Sequence, residues 1–585
     1  METQALRHFI MDALKRFATQ QGLDPAVVAP HPTFGIEPPK DLNHGDLTTN
    51  VCLIYAKTFK GSPKTVGEFL KNQLESFEAV EQVDLAGPGF INIWFKKTYW
   101  YQVLKALLQA KDYGASALGQ GKTVNLEYVS ANPTGPLHAG HGRVAIIADV
   151  LANVLEKVGY RVIREYYIND AGNQANILAR STYLRYQEAL GIVIPDIPEG
   201  YYPGAYLKDV ADALVARDGE RWLDKPEAVW LDPIRRFAVD FLMTEIRIDL
   251  ARVGISQEVF SSEHALHLSG ALDEAVFQLE QQGLVYEGIL ERPQGHQEDD
   301  WEPVPLPLFR STLFGDDRDR PLKKSDGTWT YFAGDIAYHL DKVRRGATQL
   351  INVWGADHGS HVKRMAAAVK ALTQDQTNLH VILCQTVNFF DQGKPIKMSK
   401  RAGTFVTLRD IEEQLGKDVL RFMMLTRKPD THFDFDFAKA VEQSKDNPVF
   451  YVQYAHARGR SVLRMAKEQF PHWDISLPSL AEHSLETLTD PAELALIKRL
   501  ADWTRQVEGA ALAHEPHRLV NYLYDVAASF HALWSKGKQE ALLRFLIPEN
   551  EMVSKARLAL VSAMLVVIQS GLHLFGVQPV EEMRA

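Results

Sequence analysis

Cysteine is nearly absent from this chain of 585 residues, which contains only Cys52 and Cys384. Two cysteines so far apart provide neither a disulfide framework nor the closely spaced pairs of a structural zinc site. The N-terminus also lacks a secretory signal, because charged residues such as Lys15 and Arg16 interrupt its apolar residues. We therefore expect a protein of the reducing cytoplasm that contains no structural zinc.

Long apolar runs are scarce as well. The segment from Leu558 to Val577 has no charged residue over twenty positions, which is enough to span a bilayer. Polar residues such as Ser562, Gln569 and His573 dilute this segment. We expect a buried helix of a terminal bundle and no membrane association.

An excess of positive charge is also missing. The chain has 64 Lys and Arg residues against 74 Asp and Glu residues, a formal net charge of −10. This balance excludes a uniformly basic nucleic-acid-binding protein, although it allows a local basic face. The length exceeds what one hydrophobic core supports, so several domains are expected.

The periodicity of apolar residues predicts a multidomain fold with three parts. Residues 1–115, with the strand-like "GPGFINIWF", predict an α+β module. Residues 116–440 predict an α/β domain with a parallel sheet, because the strand "TVNLEYV", the helix "GRVAIIADVLANVLEKVG" and the strand "YRVIREYYI" form a βαβ unit. Insertions are expected at about 160–350, including the Pro-, Gly- and charge-rich stretch 190–235. Residues 441–585 show helical spacing only and predict an all-α bundle.

The stretch "EYVSANPTGPLHAGHGR" places His138 and His141 at the opening turn of the predicted helix, flanked by Gly135, Gly140 and Gly142. These residues can simply shape a tight turn. They can equally hold a phosphate, because a helix N-terminus has unpaired N–H groups and the positive end of the dipole. A metal-binding histidine pair is a third interpretation, but no further ligand is near.

The stretch "GKPIKMSKRAGTFVTLRDI" places four basic residues close together before a helix that Thr407 could cap: Lys394, Lys397, Lys400 and Arg401. On its own it favours a solvated basic loop. Together with a glycine–histidine turn in an α/β domain it favours a polyphosphate site, because mobile lysines stabilise charge on transferring or leaving phosphates.

In order and spacing, "HAGH" and "KMSKR" resemble the His-Ile-Gly-His and Lys-Met-Ser-Lys-Ser motifs of class I aminoacyl-tRNA synthetases, with departures at Ala139 and Arg401. The stretches "YYINDAGNQ", "YFAGDIAYHLDK", "VWGADHGSHVKR", "HGDLTTN" and "YVQYAHAR" are similar to the arginyl-tRNA synthetase family. The resemblance covers nearly the whole chain and is strongest over residues 123–410. It implies a Rossmann-like catalytic domain at the centre and an anticodon-binding domain in the C-terminal bundle.

The resemblance also implies residue roles in catalysis and substrate binding. It assigns catalysis to His138, His141, Lys397 and Lys400, with Gly135, Gly140, Met398 and Ser399 as further ATP-binding residues. It assigns arginine binding to Glu127, Asn132, Glu263, Tyr331, Asp335 and Asp357, since carboxylates suit a planar guanidinium. The residues alone leave other interpretations open. Glu127 could be an exposed strand acid, Asp335 could cap a helix, and Tyr331 could lie in the core.

In the family, the C-terminal bundle reads the anticodon and the N-terminal module meets the elbow of the tRNA. The matching candidates here are Tyr451, Tyr454, His456, Arg458 and Arg460 in the bundle, and Asn50, Phe90 and Asn92 in the module. Aromatic and basic side chains suit RNA. The spacing in the bundle also suits a helix with a buried aromatic stripe.

The resemblance implies that ATP and L-arginine form arginyl-adenylate and that arginine then passes to the 3′ end of tRNA(Arg). It also implies that activation requires bound tRNA. Mg²⁺ is expected with ATP, no protein metal site is expected, and the chain is expected to be a monomer. A nucleotidylyl transferase for a small acid would share the histidine motif but not the flanking domains. A non-catalytic RNA-binding relative would have lost motif residues, and none is lost.

Overall fold

The computed structural model describes residues 2–28, 34–39, 41–289, 304–396, 406–444 and 446–583. The chain forms two compact units. The first comprises Met1–Lys111, Val462–Ala501 and Ser529–Met564, and the second comprises Asp112–Ser461, Asp502–Ala528 and Leu565–Ala585.

The N-terminal part of the first unit is an α+β module, as predicted. Its helices are α1 (Glu2–Gln20), α2 (Val51–Ala56), α3 (Pro63–Leu74) and α4 (Lys97–Gln109). Its strands are β1 (Ile36–Glu37), β2 (Leu47–Thr49), β3 (Val80–Ala86) and β4 (Phe90–Phe95). They pair antiparallel in the order β1-β2-β4-β3. Strand β4 confirms the strand predicted from "GPGFINIWF", and it fully buries Ile91 and Ile93.

The second unit contains the predicted α/β domain. Its strands are β5 (Thr123–Tyr128), β6 (Arg161–Ile168), β7 (Val259–Ser262), β8 (Val285–Gly288), β9 (Leu306–Phe309), β10 (Arg320–Pro321), β11 (Gln349–Gly355), β12 (Asn378–Cys384), β13 (Val387–Asp391), β14 (Lys394–Pro395) and β15 (Phe433–Asp436). A parallel sheet has the order β12-β11-β5-β6-β7. Two smaller sheets have the orders β10-β9-β8 and β14-β13-β15.

The helices of this α/β domain alternate with its strands. They are α5 (Ala139–Lys157), α6 (Gly172–Ala189), α7 (Tyr206–Asp218), α8 (Glu227–Arg252), α9 (Glu263–Leu268), α10 (Ala271–Gln281), α11 (Tyr331–Arg344), α12 (Val362–Thr373), α13 (Leu408–Leu415), α14 (Lys417–Met424) and α15 (Phe437–Ala440). Strand β5, helix α5 and strand β6 confirm the predicted βαβ unit. Gly159 follows the end of helix α5 with a φ of +92°, a conformation that suits glycine after a helix.

Two local features differ from the simplest sequence interpretation. The apolar stretch "LHVILCQTVNFF" divides into β12 and β13, which belong to different sheets. The break falls at Gln385, whose backbone N–H donates to the carbonyl of Pro429 (2.9 Å) and whose carbonyl accepts from Arg143 (2.9 Å). The stretch 190–235 contains α7 and the start of α8, with Trp230 stacked on Tyr183 at a centroid distance of 4.0 Å.

The described residues from 446 to 583 contain helices and no strand, as predicted. These helices are α16 (Pro448–Gln469), α17 (Leu477–Glu482), α18 (Pro491–Ala501), α19 (Trp503–Ala513), α20 (His517–Gln539) and α21 (Glu551–Leu574). The long uncharged run lies mostly in α21, where Leu558, Val561 and Val567 are fully buried. Across the described part of the chain, no helix combines the length and apolarity needed to cross a membrane.

A buried arginine connects four segments of the second unit. Arg421 on α14 is 1% exposed at its side chain and donates to the Asp149 carboxylate on α5 (2.6 Å). It also donates to the carbonyls of Val253 (2.8 Å) and Phe575 (2.5 Å). One carboxylate therefore compensates its charge, and two further donors meet carbonyls that follow the ends of helices α8 and α21.

We expect Arg421→Ala to destabilise the second unit by about 3–5 kcal/mol, because it leaves the buried Asp149 carboxylate with only the more distant Arg164 guanidinium (3.8 Å). Arg427→Ala is the matched control, since Arg427 is exposed on the following turn. The urea midpoint of the unfolding transition, measured for both variants, should fall clearly for the first and stay near that of the parent protein for the second. Equal midpoints would show that the buried pair contributes little.

Candidate active site

The carboxyl ends of β5 and β11 meet where the parallel sheet reverses its winding. From β5 the chain continues to β6 and β7 on one side, and it later places β11 and β12 on the other. The register sets Glu127 of β5 opposite Asn352 of β11. In open α/β sheets, ligands bind in the crevice outside such a reversal. The "HAGH" turn follows β5, and the "GADH" turn follows β11.

His138 and His141 cap helix α5 reciprocally. The Nδ1 atom of His138 accepts hydrogen bonds from the backbone N–H groups of Gly140 (3.1 Å) and His141 (3.4 Å), and Nδ1 of His141 accepts one from His138 N–H (3.3 Å). The two rings stack with centroids 3.6 Å apart. Because Nδ1 is an acceptor in both rings, the hydrogen of each neutral imidazole lies on Nε2. The histidines thus shape the turn and carry Nε2–H donors at a helix N-terminus.

The lysine-rich stretch lies partly outside the described residues, and four predicted ATP-binding residues belong to that part: Lys397, Met398, Ser399 and Lys400. The chain is described again from Val406. Thr407 then caps helix α13, as predicted, because its hydroxyl accepts a hydrogen bond from the backbone N–H of Asp410 (3.0 Å).

Backbone hydrogen bonds join the end of this stretch to the "HAGH" turn. The N–H of Ala139 donates to the carbonyl of Val406 (3.3 Å), and the N–H of Leu408 donates to the carbonyl of Leu137 (2.8 Å). Gly142 permits this approach, since a Cβ atom there would lie 2.7 Å from Cδ1 of Leu408. The described end of the lysine-rich stretch, from Val406 onward, therefore lies beside the "HAGH" turn.

Four carboxylates act electrostatically on the buried hydroxyl of Tyr167 on β6, and we call these acids together with Tyr167 the acidic pocket. They belong to Glu127, Asp170, Glu263 and Asp335. Burial and these carboxylates raise the pKa of the Tyr167 hydroxyl far above its ordinary value. Burial and Asp170 also raise the pKa of Glu263, which is 8% exposed. So many acids in one partly desolvated pocket favour a cationic ligand.

Glu127 is not an exposed strand acid, because it is 5% exposed and bonded through both oxygens. Oε2 accepts from the Lys342 ammonium (2.5 Å) and Oε1 from the Ser130 hydroxyl (3.0 Å). The intervening turn is strained, with a φ of +69° at Val129 and +38° at Ser130. A positive φ is rare for a β-branched residue. The Ser130 hydroxyl oxygen also accepts a hydrogen bond from the backbone N–H of Tyr167 (3.0 Å), which holds the turn in place.

Helix α11 begins without help from Asp335. Thr330 is its N-cap, and the Thr330 hydroxyl accepts a hydrogen bond from the backbone N–H of Ala333 (3.3 Å). The helix-cap interpretation of Asp335 is therefore wrong. Tyr331 is 68% exposed, so it does not belong to the core. Tyr331 and Asp335 stand one helical turn apart at the start of α11.

The electrostatic setting of Asp335 is unusual for an aspartate. Burial, followed by the carboxylates of Glu127 and Glu263, raises the pKa of Asp335 to about 7. Arg364 and Lys342 act in the opposite direction but do not cancel this effect. A bound cation would relieve the repulsion among these three acids.

Two predicted arginine-binding residues have side-chain contacts that involve none of the four acids of the acidic pocket. Asn132 is exposed and donates from its amide to the side-chain oxygen of Gln174 (2.6 Å). The Asp357 side chain is 81% exposed and lies 3.5 Å from His358. The described contacts connect neither of them to the acidic pocket.

Four candidate tRNA-binding residues of α16 are half-buried: Tyr451, Tyr454, Arg458 and Arg460. The Arg458 guanidinium lies over the Tyr454 ring at 4.1 Å and donates to its hydroxyl (2.8 Å). Arg460 forms an ion pair with Glu581 (2.6 Å). His456 is fully buried and bonds to the carbonyl of Val580 (2.8 Å), so the prediction that it faces RNA is wrong.

The candidates of the N-terminal module separate into two groups. Phe90 and Asn92 line a cavity of about 320 Å³ together with His44 and Thr48. Asn50 instead accepts a hydrogen bond from the backbone N–H of Gly35 (2.9 Å) and so holds the local chain.

Known proteins similar to this chain cover nearly all of it. Residues 4–95 match the "Arginyl tRNA synthetase N terminal domain", residues 102–431 the "tRNA synthetases class I (R), catalytic domain", and residues 452–583 the "DALR anticodon binding domain". The arginine–tRNA ligase of Parvibaculum lavamentivorans is 54% identical over 94% of both chains, and that of Ruegeria sp. is 50% identical over 99% of both. The arginyl-tRNA synthetase structure of Thermus thermophilus shares the fold, with a TM-score of 0.74 at 22% identity over 100% of both chains.

The parallel sheet, the "HAGH" helix cap and the catalytic-domain match define a class I aminoacyl-tRNA synthetase. Within this class, the chain belongs to the arginyl-tRNA synthetase family.

Sequence reasoning missed several polar residues of the pocket: Asp170, Tyr167, Lys342, His339 and Asn352. A helical signal for Lys342 was present, because it lies seven positions after Asp335 and therefore on the same face of α11. Asn352 is a polar residue inside the apolar strand "QLINVWG", which is a recognisable sign of a buried hydrogen-bonding role.

The raised pKa of Asp335 predicts opposite effects of Asp335→Asn on stability and on substrate use. In the parent protein, the folded state favours the neutral form of Asp335. The contribution of Asp335 to folding stability is therefore fully present below about pH 4 and is lost as pH rises toward about 7. Asparagine is never charged, so the unliganded variant should be more stable above pH 7, by up to roughly 4 kcal/mol. The same substitution should lower kcat/KM for arginine by about 10²- to 10³-fold.

The measurements are the thermal midpoint of unliganded protein between pH 5 and pH 8, and kcat/KM for arginine and lysine. Asp341→Asn is the control, since Asp341 lies on the same helix and pairs with Arg345 (2.8 Å). A drop below tenfold in kcat/KM for arginine, or the same stability gain at pH 5 as at pH 8, would contradict the role of Asp335.

Proposed function

We propose that this chain activates L-arginine with ATP, forming arginyl-adenylate and pyrophosphate, and then transfers arginine to the 3′ end of tRNA(Arg). The observation that supports this most directly is the acidic pocket around Tyr167, which lies by the sheet reversal that the "HAGH" turn also follows. The pocket suits a cationic amino acid, and the turn suits a triphosphate.

In this proposal the guanidinium of arginine meets Asp335 and Glu263, with Tyr331 at the pocket entrance. Two carboxylates can accept the parallel N–H bonds of a planar fork. Glu127 and Asn132 are assigned to the amino-acid end of the substrate, and Asp357 to its outer edge. Lysine would offer a compact ammonium and leave buried acceptors unsatisfied, which is a strong basis for rejecting it.

The triphosphate is assigned to the N-terminus of α5, where Gly135 and Gly140 allow close approach and the Nε2–H groups of His138 and His141 donate. Lys397, Met398, Ser399 and Lys400 are assigned to the same ATP. During activation a carboxylate oxygen of arginine bonds to the α-phosphorus, while the bond to the β-phosphate oxygen breaks and pyrophosphate leaves. Donors aimed at that oxygen stabilise the charge that develops there.

Mg²⁺ is proposed to arrive on the phosphates of ATP. Among the described residues, no group of three or more His, Cys, Asp or Glu side chains could hold a metal ion. The donors at the "HAGH" turn are imidazole and backbone N–H groups, whereas Mg²⁺ requires oxygen ligands. No chain residue is therefore assigned to the ion.

For the tRNA, we propose domain boundaries at 1–115, 116–440 and 441–585. The outer two domains would contact the tRNA through Phe90, Asn92 and Asn50 and through Tyr451, Tyr454, Arg458 and Arg460. The Tyr454–Arg458 pair, a cation lying on an aromatic ring, suits contact with an unstacked base and a phosphate. We further propose that the protein acts as a monomer in the cytoplasm.

Arginine-dependent exchange of pyrophosphate into ATP tests this function. We expect exchange with arginine, ATP and tRNA(Arg), and at least a tenfold lower rate without tRNA, because the productive pocket would then be a minor state. Exchange that depends on another small acid and not on arginine would favour a nucleotidylyl transferase. Binding of tRNA without any exchange would favour a non-catalytic RNA-binding protein. Equal exchange with and without tRNA would reject only the tRNA requirement.

Replacement of the motif lysines tests the transition-state role of the second motif. Lys397→Ala and Lys400→Ala should each lower kcat for activation by about 10- to 1000-fold with a smaller effect on KM for ATP, since their charge acts on the developing phosphate charge. Lys394→Ala is the control, because Lys394 is exposed on β14 in the same stretch. If the two variants changed only KM, the lysines would bind ground-state ATP alone.

A further inference from the structure

A continuous series of hydrogen bonds connects Asp335 on α11 with Glu127 on β5. The backbone carbonyl of Asp335 accepts from Nδ1–H of His339 (2.7 Å), and Nε2 of His339 accepts from the amide of Asn352 (2.8 Å). Oδ1 of Asn352 accepts from the Lys342 ammonium (3.1 Å), which also donates to Oε2 of Glu127 (2.5 Å). The series therefore runs from the backbone of Asp335 to the carboxylate of Glu127, two residues that are assigned to the substrate.

The interior members of this series are shielded from solvent. Lys342 and Asn352 are 0% exposed, and His339 is 3% exposed. Burial, together with Lys342, lowers the pKa of His339 well below its ordinary value, which keeps the ring neutral. Neutral His339 can then donate from Nδ1 and accept at Nε2, as the series requires.

We propose that Lys342 is a positioning residue for arginine activation, because its buried ammonium fixes the Glu127 carboxylate at the carboxyl end of β5 and offsets one of the negative charges of the acidic pocket. This inference rests on the proposed function. With Oε2 on Lys342 and Oε1 on Ser130, the carboxylate cannot rotate. Its remaining lone pairs then have fixed directions toward a substrate.

The charge balance of the pocket supports the same role. Glu127, Glu263 and Asp335 repel one another, and arginine brings its guanidinium and its α-ammonium to them. Arg364 and Lys342 both lower the pKa of Asp335 against this repulsion, so loss of the Lys342 ammonium would raise that pKa further. Lys342 thus favours the charged form of the acids that are assigned to arginine.

Arg345, the residue after the last turn of α11, supplies a control. Its partly exposed guanidinium pairs with the buried Glu165 on β6 (2.8 Å), whereas the Lys342 pair with Glu127 on β5 is buried at both partners. Glu165 is fully buried, and its carboxylate also accepts from the Asn125 amide and the Ser261 hydroxyl (2.6 Å). Loss of Arg345 should therefore cost stability without altering the substrate pocket.

The test uses the full chain with ATP, arginine and tRNA(Arg) in the exchange assay. Lys342→Met should lower kcat/KM for arginine by about 10²-fold, mainly through KM for arginine, and change KM for ATP by less than about threefold. The acid limb of the pH profile of kcat/KM for arginine should move upward by about one unit, because a cation near Asp335 is lost. The other charged groups facing Asp335, which remain in place, are Glu127, Glu263 and Arg364.

Lys342→Arg separates charge from position. It keeps the cation, so the acid limb should stay at its original pH, while its longer fork displaces Glu127 and raises KM for arginine several-fold. If Lys342→Met does not fold, Lys342→Arg alone still tests whether Lys342 positions Glu127. An unchanged KM for arginine in Lys342→Arg would overturn the positioning role.

Arg345→Met completes the comparison. It should lower the thermal midpoint but leave KM for arginine and the acid limb unchanged. If Lys342→Met and Arg345→Met affected arginine use equally, Lys342 would be only a structural residue. Absence of arginine-dependent exchange in the parent protein would instead reject the proposed function and would be seen before any variant is compared.

Discussion

The docking of helix α11 on the parallel sheet is the constraint on which the acidic pocket depends. This contact uses two ion pairs, Lys342 with Glu127 and Arg345 with Glu165, at positions where most helices of α/β proteins bury apolar side chains. Removing one partner of such a pair costs several kcal/mol, whereas a slide of the helix would separate both pairs at once. The axial position of α11 is thereby fixed, and with it the distance of Asp335 from the sheet.

At the N-terminus of helix α5, the same groups serve the fold and the proposed chemistry. His138 and His141 satisfy N–H groups of the first helical turn and, by doing so, direct their Nε2–H donors. One turn later, buried Arg143 donates to the carbonyls of Gln385, Lys428 and Thr431, each at 2.9 Å. Helix α5 is therefore attached to the segments that lead away from β12 and into β15, and its N-terminus has a defined place.

Much of this arrangement could be predicted from the sequence because it follows local rules. Apolar spacing indicated β5, α5 and β6, and the two motifs indicated the family, whose domain order the comparisons confirm. The partner of Glu127 could not be deduced in that way. Lys342 lies 215 positions later, and only tertiary pairing of β5, β11 and α11 brings the two together. The burial of His456 was hidden for a similar reason, since its partner Val580 lies near the C-terminus.

The hydrogen-bond series beneath the pocket has one arrangement of hydrogens only. A carbonyl at one end can only accept, and an ammonium at the other can only donate, so neither His339 nor Asn352 can reverse its direction. Such a series cannot relay a proton, because a relay must pass through the reversed arrangement. It also has no orientational freedom to lose when a substrate arrives. The series therefore acts as a permanent dipole, aligned by its own hydrogen bonds, and its field requires no reorganisation.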